Sequence, residues 1–371
     1  NHDEASFVTL VDSVCQGLQA RRAGPAISNR GILVIRGLST PGYTNAVENR
    51  SSNDQVVAGP DVPFYSSHDP ISLFPSPATP LNLLVKETPE VEWDPTNRWA
   101  SPLQYGGKPS DGQDDSEAIQ RAIDSGATTV YLPNGEWTFQ KTVIIRGAVH
   151  RIIGCEARIR ALGLRDAPAL RVSAGSAPVV IIERLEAADP EVRMLENESK
   201  RTMVVSSCWG MGGQLTGPGD LFIEDVSSAT GWVVTGQKVW ARQWCLEGLG
   251  TKINNDAGMV WVLGLKTERS GALVRTVKGG RSEVLGGLCV ASGGWKADPM
   301  FVLEDGEGAF AIAEASPGTS PYVSIVSETR RGKSKVLTNK GLSEDNKLPE
   351  RLGAIALPMY IGRDLALAPP K

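Results

Sequence analysis

Two carboxylates at matching positions are the residues of this chain best suited to chemistry. Aligning Val239-Trp240-Ala241 with Val260-Trp261-Val262 puts Glu247 and Glu268 in register, each eight residues after the first valine of its triplet. If the triplets are adjacent layers of one stack, the backbones carrying these carboxylates start about 4.8 Å apart. Side-chain splay then brings their oxygens to separations used by retaining or inverting glycosidases. One carboxyl protonates the leaving oxygen and the other attacks carbon or activates water. Like-charge repulsion between two such groups is how enzymes keep one of them protonated as the acid. Arg242, Lys266 and Arg269 lie near both positions and support the competing reading, an exposed charge ladder. Glu224, Asp225 and Glu283 are secondary catalytic candidates.

The same alignment turns Trp240 and Trp261 outward, with Phe222 one layer earlier, because their valine and alanine neighbours point inward. An aromatic stripe of this kind stacks on sugar rings in a substrate groove. It also suits burial beneath a connector, another β-helix or a partner chain. Three functions compete. The first is a glycoside hydrolase with paired carboxylates, and it needs no cofactor. The second is a polysaccharide lyase, which needs a uronic acid, calcium or another cation, and a base such as Lys266, Arg242 or Arg269. The third is a noncatalytic glycan-binding or assembly protein.

These residues need a stack to position them, and the spacing predicts one. Apolar triplets begin at Leu221, Val239, Val260, Ser282, Phe301 and Val323, at intervals of 18, 21, 22, 19 and 22 residues. Such a period suits a solenoid with one coil per repeat. Asn254-Asn255-Asp256-Ala257-Gly258 and Lys278-Gly279-Gly280 supply turns, since Asn and Gly tolerate left-handed backbone. Earlier coils are expected over residues 137–145, 149–161, 169–185 and 201–208. Residues 210–219 and the charged run 330–347 read as loops, and residues 352–361 as a returning last strand.

A helix is predicted over residues 115–125. Asp114 suits the N-cap, Glu117 completes a capping box, and Gly126 supplies the left-handed stop. Ile119, Ala122 and Ile123 fall on one face, which the open end of a solenoid needs as a lid. Asp111, Asp114 and Asp115 are therefore read as loop and cap residues rather than metal ligands.

Residues 7–11, 26–29 and 32–35 also read as β-helix strands, and Pro60 to Pro95 is rich in proline, as a surface connector would be. The expected organisation is closing coils of a first β-helix at 1–58, a connector at 59–98, and a β-helix with a C-terminal tail at 99–371. The missing part of the first β-helix is assigned to an absent N-terminal segment or to another chain.

Composition narrows the partners. In 371 residues, a formal charge of −4 gives no basic footprint for nucleic acid, and no apolar run is long enough for a membrane span. The 40 glycines and 24 prolines, with 6% aromatic residues, favour many short strands and tight turns. Cys15, Cys155, Cys208, Cys245 and Cys289 show no metal or redox spacing.

The run from Asp111-Gly112 through Asp114-Asp115-Ser116 to Ala118-Ile119-Gln120 and Ala122-Ile123-Asp124, with Tyr105-Gly106-Gly107 and Val130-Tyr131-Leu132-Pro133, resembles the pectate lyase superfamily, in its rhamnogalacturonase or epimerase-like branch. The paired arrangement resembles that of fungal exo-1,3-glucanases. The resemblance covers about residues 100–165. It implies an all-β, right-handed parallel β-helix solenoid with a short N-terminal capping helix. It also implies a polysaccharide or oligosaccharide partner and an extracellular or periplasmic location. The polygalacturonase signature is missing: His2, His68 and His150 are not flanked by two glycines, Arg158-Ile159-Arg160 comes too early, and Asp114-Asp115 sits in the lid. No catalytic residues transfer from that family.

Overall fold

Short β-branched runs punctuated by glycine wind into a right-handed parallel β-helix. The computed structural model describes residues 6–17, 24–50, 54–189, 192–292, 298–316, 321–346 and 355–364. His2 and the start of the expected strand at 352–361 lie outside the described residues. The chain falls into two units, one from residues 84–262 and 271–280, the other from 1–83, 263–270 and 281–371.

In the first of these units each turn after the first contributes two strands, a second strand following the one that starts the repeat. Long strands Arg151–Ala161, Val179–Ala187, Thr202–Cys208, Leu221–Ser228 and Lys238–Leu246 stack in parallel. Short strands form a second parallel ladder, from Val143–Gly147 through Leu195–Asn197, Gly213–Leu215 and Trp232–Thr235 to Val274–Val277. Residues 210–219, expected to be a loop, therefore hold one of these strands.

Each long strand bends once, at a residue with left-handed backbone. These are Glu156, Arg184, Ser207, Asp225 and Gln243, with φ between 49° and 56°. The bend gives the coil three outer faces: face A before it, face B after it, and face C on the short strands. It also shifts the inward alternation by one residue. Leu221 and Ile223 are buried before Asp225, and Val226 and Ser228 after it; Val239 and Ala241 give way in the same manner to Trp244 and Leu246. Inside, Trp232 and Trp244 meet edge to face at 5.8 Å.

An open parallel stack leaves backbone donors and acceptors unpaired at its first coil. All three edges are sealed here. Ala100 bonds both ways with strand Thr129–Leu132, through Thr129 O and Tyr131 N. Asp115 donates its N–H to Thr138 O while its carboxylate accepts Thr138 N at 3.1 Å. The Gln120 amide accepts Ile144 N at 2.8 Å and donates to Ile144 O at 3.1 Å. The lid helix is Ser116–Asp124, and it buries Ala118, Ile119, Ala122 and Ile123.

The expected capping box is corrected. The N-cap is Asp115, with no side-chain cap bond, because its carboxylate is committed to Lys108 N and Thr138 N. Asp114 instead accepts Ser116 N at 3.0 Å, and Glu117 pairs with Arg121 one turn along. Gly126, at φ 90°, is the left-handed stop.

In the other unit, Phe7–Val14 runs parallel to Ile32–Ser39, and Asp61–Ser66 returns antiparallel. Ile27–Asn29 and Asn45–Arg50 form a second parallel pair, with Asn29 bonded to Asn49 at 2.6 Å across the layers. Leu33, Ile35, Leu38, Ala46 and Val47 fill the core of these coils. The C-terminal coils close in the same way. The triplets expected to start coils at Phe301 and Val323 fall instead on a second pair of strands within these coils, where Phe301–Glu304 pairs with Ser324–Arg330. Lys333–Thr338 and Ile355–Gly362 are antiparallel caps. The run read as a solvated loop thus contains a strand, followed by helix Asn339–Asn346. No helix among the described residues is long and apolar enough to cross a membrane.

The corner geometry is testable at Gln243. A β-branched residue resists left-handed backbone, so Gln243→Val should lower unfolding free energy by about 1–2 kcal/mol, while Gln243→Gly should be neutral or stabilising. Urea denaturation of the two variants measures the difference.

Candidate functional site

The outer faces of the coil differ in what they leave accessible. On face A, register places Arg151, Ile181, Val204, Phe222 and Trp240 in one outward column. Phe222 and Trp240 stack at 4.9 Å, as the aromatic stripe predicts. The stripe is buried, however: Phe222 is 3% exposed, and Trp240 and Trp261 are each 1% exposed.

Its cover is the proline-rich segment itself. Trp240 Nε1 donates to Leu84 O at 2.7 Å, and the Lys86 ammonium sits 4.7 Å above the Trp240 ring. Arg242 bonds to the Lys86 carbonyl and the Glu87 carboxylate, and its guanidinium lies 5.3 Å over Trp261. Glu224 accepts from the Thr88 hydroxyl and, at 3.4 Å, from Arg242. Further along, Arg151 donates to Val91 O at 2.8 Å and stacks on Trp93 at 3.8 Å. Asp94 pins the far end, accepting Thr128, Thr129 and His150 on one oxygen. Of the two readings of the stripe, burial beneath the connector is the one realised.

Burial disfavours ionisation of Asp94, but the hydrogen bonds from Thr129, Thr128 and His150 outweigh it and hold this carboxyl down at about 2. Its stabilisation is complete above its ordinary value near 3.8 and is lost as pH falls through about 2.

Face C is polar and internally satisfied. Glu196 accepts Arg171 and Gln214, each at 2.9 Å, and Thr216 at 3.2 Å.

Face B is open. Beside the left-handed corners runs a groove of about 530 Å³. Glu156, Arg184, Ser207 and Asp225 form its corner side, with Glu186, Trp209, Ser227 and Cys245 along the strand side. Trp209 is 48% exposed. Glu186 pairs with Arg158 at 3.2 Å, and Glu156 accepts Asn134 at 3.1 Å. Among the described residues, the Asp225 carboxylate and the Arg184 guanidinium have no intramolecular partner. Cys208 also lines the groove, but burial pushes its thiol up to about 12, which removes it as a nucleophile at neutral pH. No disulfide joins the described cysteines.

The remaining sequence candidates scatter. Glu247 accepts Cys245 Sγ at 3.1 Å. Glu268 pairs with Lys266 at 2.6 Å, in the other unit. Arg269 is exposed, with its N–H on Ser292 Oγ and its carbonyl accepting Tyr322. Glu283 is buried, paired with Arg36 at 2.6 Å and accepting Asn82 N and Leu83 N. Burial pushes the Glu283 carboxyl up, opposed by Arg36 and these two amides. Its contacts are those of a structural anchor. Among the described residues, no cluster of three or more His, Cys, Asp or Glu side chains is arranged to hold a metal.

Sequence reasoning missed Trp209, Arg184, Glu186 and Glu156. The signal that finds them is the break in alternation: a strand whose inward positions change parity has a corner, and corner side chains project outward.

No protein-family model matches the chain. No curated protein matches it either. Among solved structures, it is similar to PfbA, a surface adhesin of Streptococcus pneumoniae, at 10% identity over 65% of this chain and 98% of that one, with a TM-score of 0.34. It is similar to the iota-carrageenase of family GH82 from A. fortis at 12% identity over 68% of each chain, TM-score 0.38. It is similar to the A-module of the mannuronan C-5 epimerase AlgE4 from Azotobacter vinelandii at 16% identity over 55% of this chain and 81% of that one, TM-score 0.29. These similarities assign no activity to the chain.

Two outcomes test the covered face. Trp240→Ala should cost about 3–5 kcal/mol in thermal or urea unfolding, as expected for a fully buried indole. Asp94→Asn should lower stability at neutral pH by up to about 2 kcal/mol and flatten the acid limb between about pH 4 and pH 2.

Proposed function

We propose that this chain is a polysaccharide-binding protein of the parallel β-helix class, and that the glycan lies along the face B groove. The observation that carries the reading is Trp209, half-exposed in an open groove beside an Asp225 carboxylate and an Arg184 guanidinium that have no partners among the described residues. An indole offers an apolar face to a sugar ring, and the flanking polar groups fix its hydroxyls. The corner residues from Glu156 to Gln243 span five layers, about 19 Å at the ordinary strand spacing, which suits an extended oligosaccharide. The lid sequence from Asp111 to Asp124, together with its seal on the first coil, supports placing the chain in the pectate lyase superfamily, with the extracellular or periplasmic location that implies.

A hydrolytic reading has one specific support. Cys245 lines the groove and bonds to Glu247, which brings a carboxylate to the groove's margin. In that reading Glu247 acts with Asp225. Neither reading invokes a cofactor; only a lyase would draw on calcium.

A panel of neutral and acidic polysaccharides tests both readings. Trp209→Ala should weaken binding at least tenfold with thermal stability unchanged; undiminished binding by this variant, or no binding across the panel, would sink the groove assignment. Release of reducing sugars without near-ultraviolet absorbance, abolished in Glu247→Gln, would add hydrolysis. Full activity in Glu247→Gln or Asp225→Asn removes that residue from the mechanism.

A further inference from the structure

The coils that begin at Phe7 are closed on one side only. Asp61–Ser66 and Asp54–Ala58 cap the second of them with antiparallel strands. The first has no such cover. Phe7–Val14 and Ile27–Asn29 each stand at the end of a three-stranded sheet, paired along one edge among the described residues. Ile32 N–H donates to Ser6 O, so by alternation the amides of Val8 and Leu10 face Ile32–Ser39, and those of Phe7, Thr9 and Val11 face away. The lid-bearing unit seals the equivalent groups of its own first coil with three separate devices.

The core is open at the same end. Leu33, Ile35 and Val47 are 1%, 0% and 0% exposed, while their register partners Val8, Leu10 and Ile27 are only partly buried. Unpaired backbone and an uncovered apolar column therefore coincide on one surface. These are the features of an interior coil, which loses both penalties only when another coil lies on it.

The bend of the strand sets the shape of the occupant. Asp12, at φ 46°, is a left-handed corner, and the corner one layer on is Gly37, at φ 68°. A Cβ at Gly37 would lie 2.6 Å from Asp12 Oδ1, so the stack makes room for the carboxylate by omitting the side chain opposite it. A second copy of this edge does not fit. A twofold axis that aligns the two corners sets one Asp12 carboxylate against the other, and any other axis leaves the bends out of step.

We infer that the first coil is a docking edge for a parallel β-helix coil of a partner chain. The incoming strand runs parallel to Phe7–Val14 and pairs its backbone with Phe7, Thr9 and Val11. It lays apolar side chains over Val8, Leu10 and Ile27, and it turns beside Asp12 through glycine, asparagine or a basic residue. This docking does not rest on the saccharide reading of face B.

The probe is a synthetic peptide of residues 31–50, a sequence that already stacks in parallel on the first coil from its other side. Labelled peptide should bind the full chain saturably in fluorescence anisotropy, and hydrogen exchange at the Phe7, Thr9 and Val11 amides should slow at least tenfold. The peptide carrying Leu33→Asp and Ile35→Asp should not bind. Two variants of the chain should each weaken binding at least tenfold. Val11→Pro removes an outward-facing donor and leaves the bonds to Ile32–Ser39 in place, and Val8→Glu sets a charge over the apolar column. The inference is overturned if the peptide does not bind, if it binds without slowing those amides, if both variants bind it undiminished, or if sedimentation shows the chain alone dimerising through this edge.

Discussion

Everything in this fold depends on pairing the backbone hydrogen-bonding groups of a parallel stack, including those at its ends. Interior coils satisfy each other. The first coil of the lid-bearing unit has no preceding neighbour, and three different devices take its place: the Ala100 main chain, the Asp115 backbone and carboxylate, and the Gln120 side-chain amide. In the other unit, antiparallel strands Asp61–Ser66, Lys333–Thr338 and Ile355–Gly362 close the coils. An unsealed edge would be a template for pairing with another chain.

Once the ladder is closed, the inward columns and left-handed corners set the shape, and the outward residues are left to vary. The three faces use that freedom differently. Face C spends its polar groups on one another around Glu196. Face A carries the largest aromatic surface but is covered by the strap, whose carbonyls and carboxylates are matched to Trp240, Arg242 and Arg151. Face B alone combines an exposed indole with charged groups that have no partners among the described residues. Accessibility, more than residue type, separates a binding surface from a structural seam.

The same logic explains why the paired-carboxylate argument reached real residues without fixing a site. Glu224 and Glu283 are committed to structural partners, Thr88 and Arg242 for one, Arg36 and the Asn82 and Leu83 amides for the other. A carboxylate that holds a strap or buries an arginine answers to the same sequence cues as a catalytic one. Only its partners distinguish the two.

From the sequence alone one can read the lid helix, its Gly126 stop, the inward columns and the stripe Phe222-Trp240-Trp261, because each follows from local alternation or helical spacing within a few residues. The capping box failed because Asp115 is claimed by Thr138, a strand it meets only in three dimensions. The triplets at Phe301 and Val323 were misplaced as coil starts because each coil holds two strands, and both present the same kind of apolar triplet. Tertiary structure decided which outer face is covered, since the strap from Leu84 to Asp94 lies far in sequence from the residues it covers. It also decided which carboxylates are free. Local sequence fixes which way a side chain points from its own strand; what lies in front of it is set by long-range packing, and that is where the functional surface is chosen.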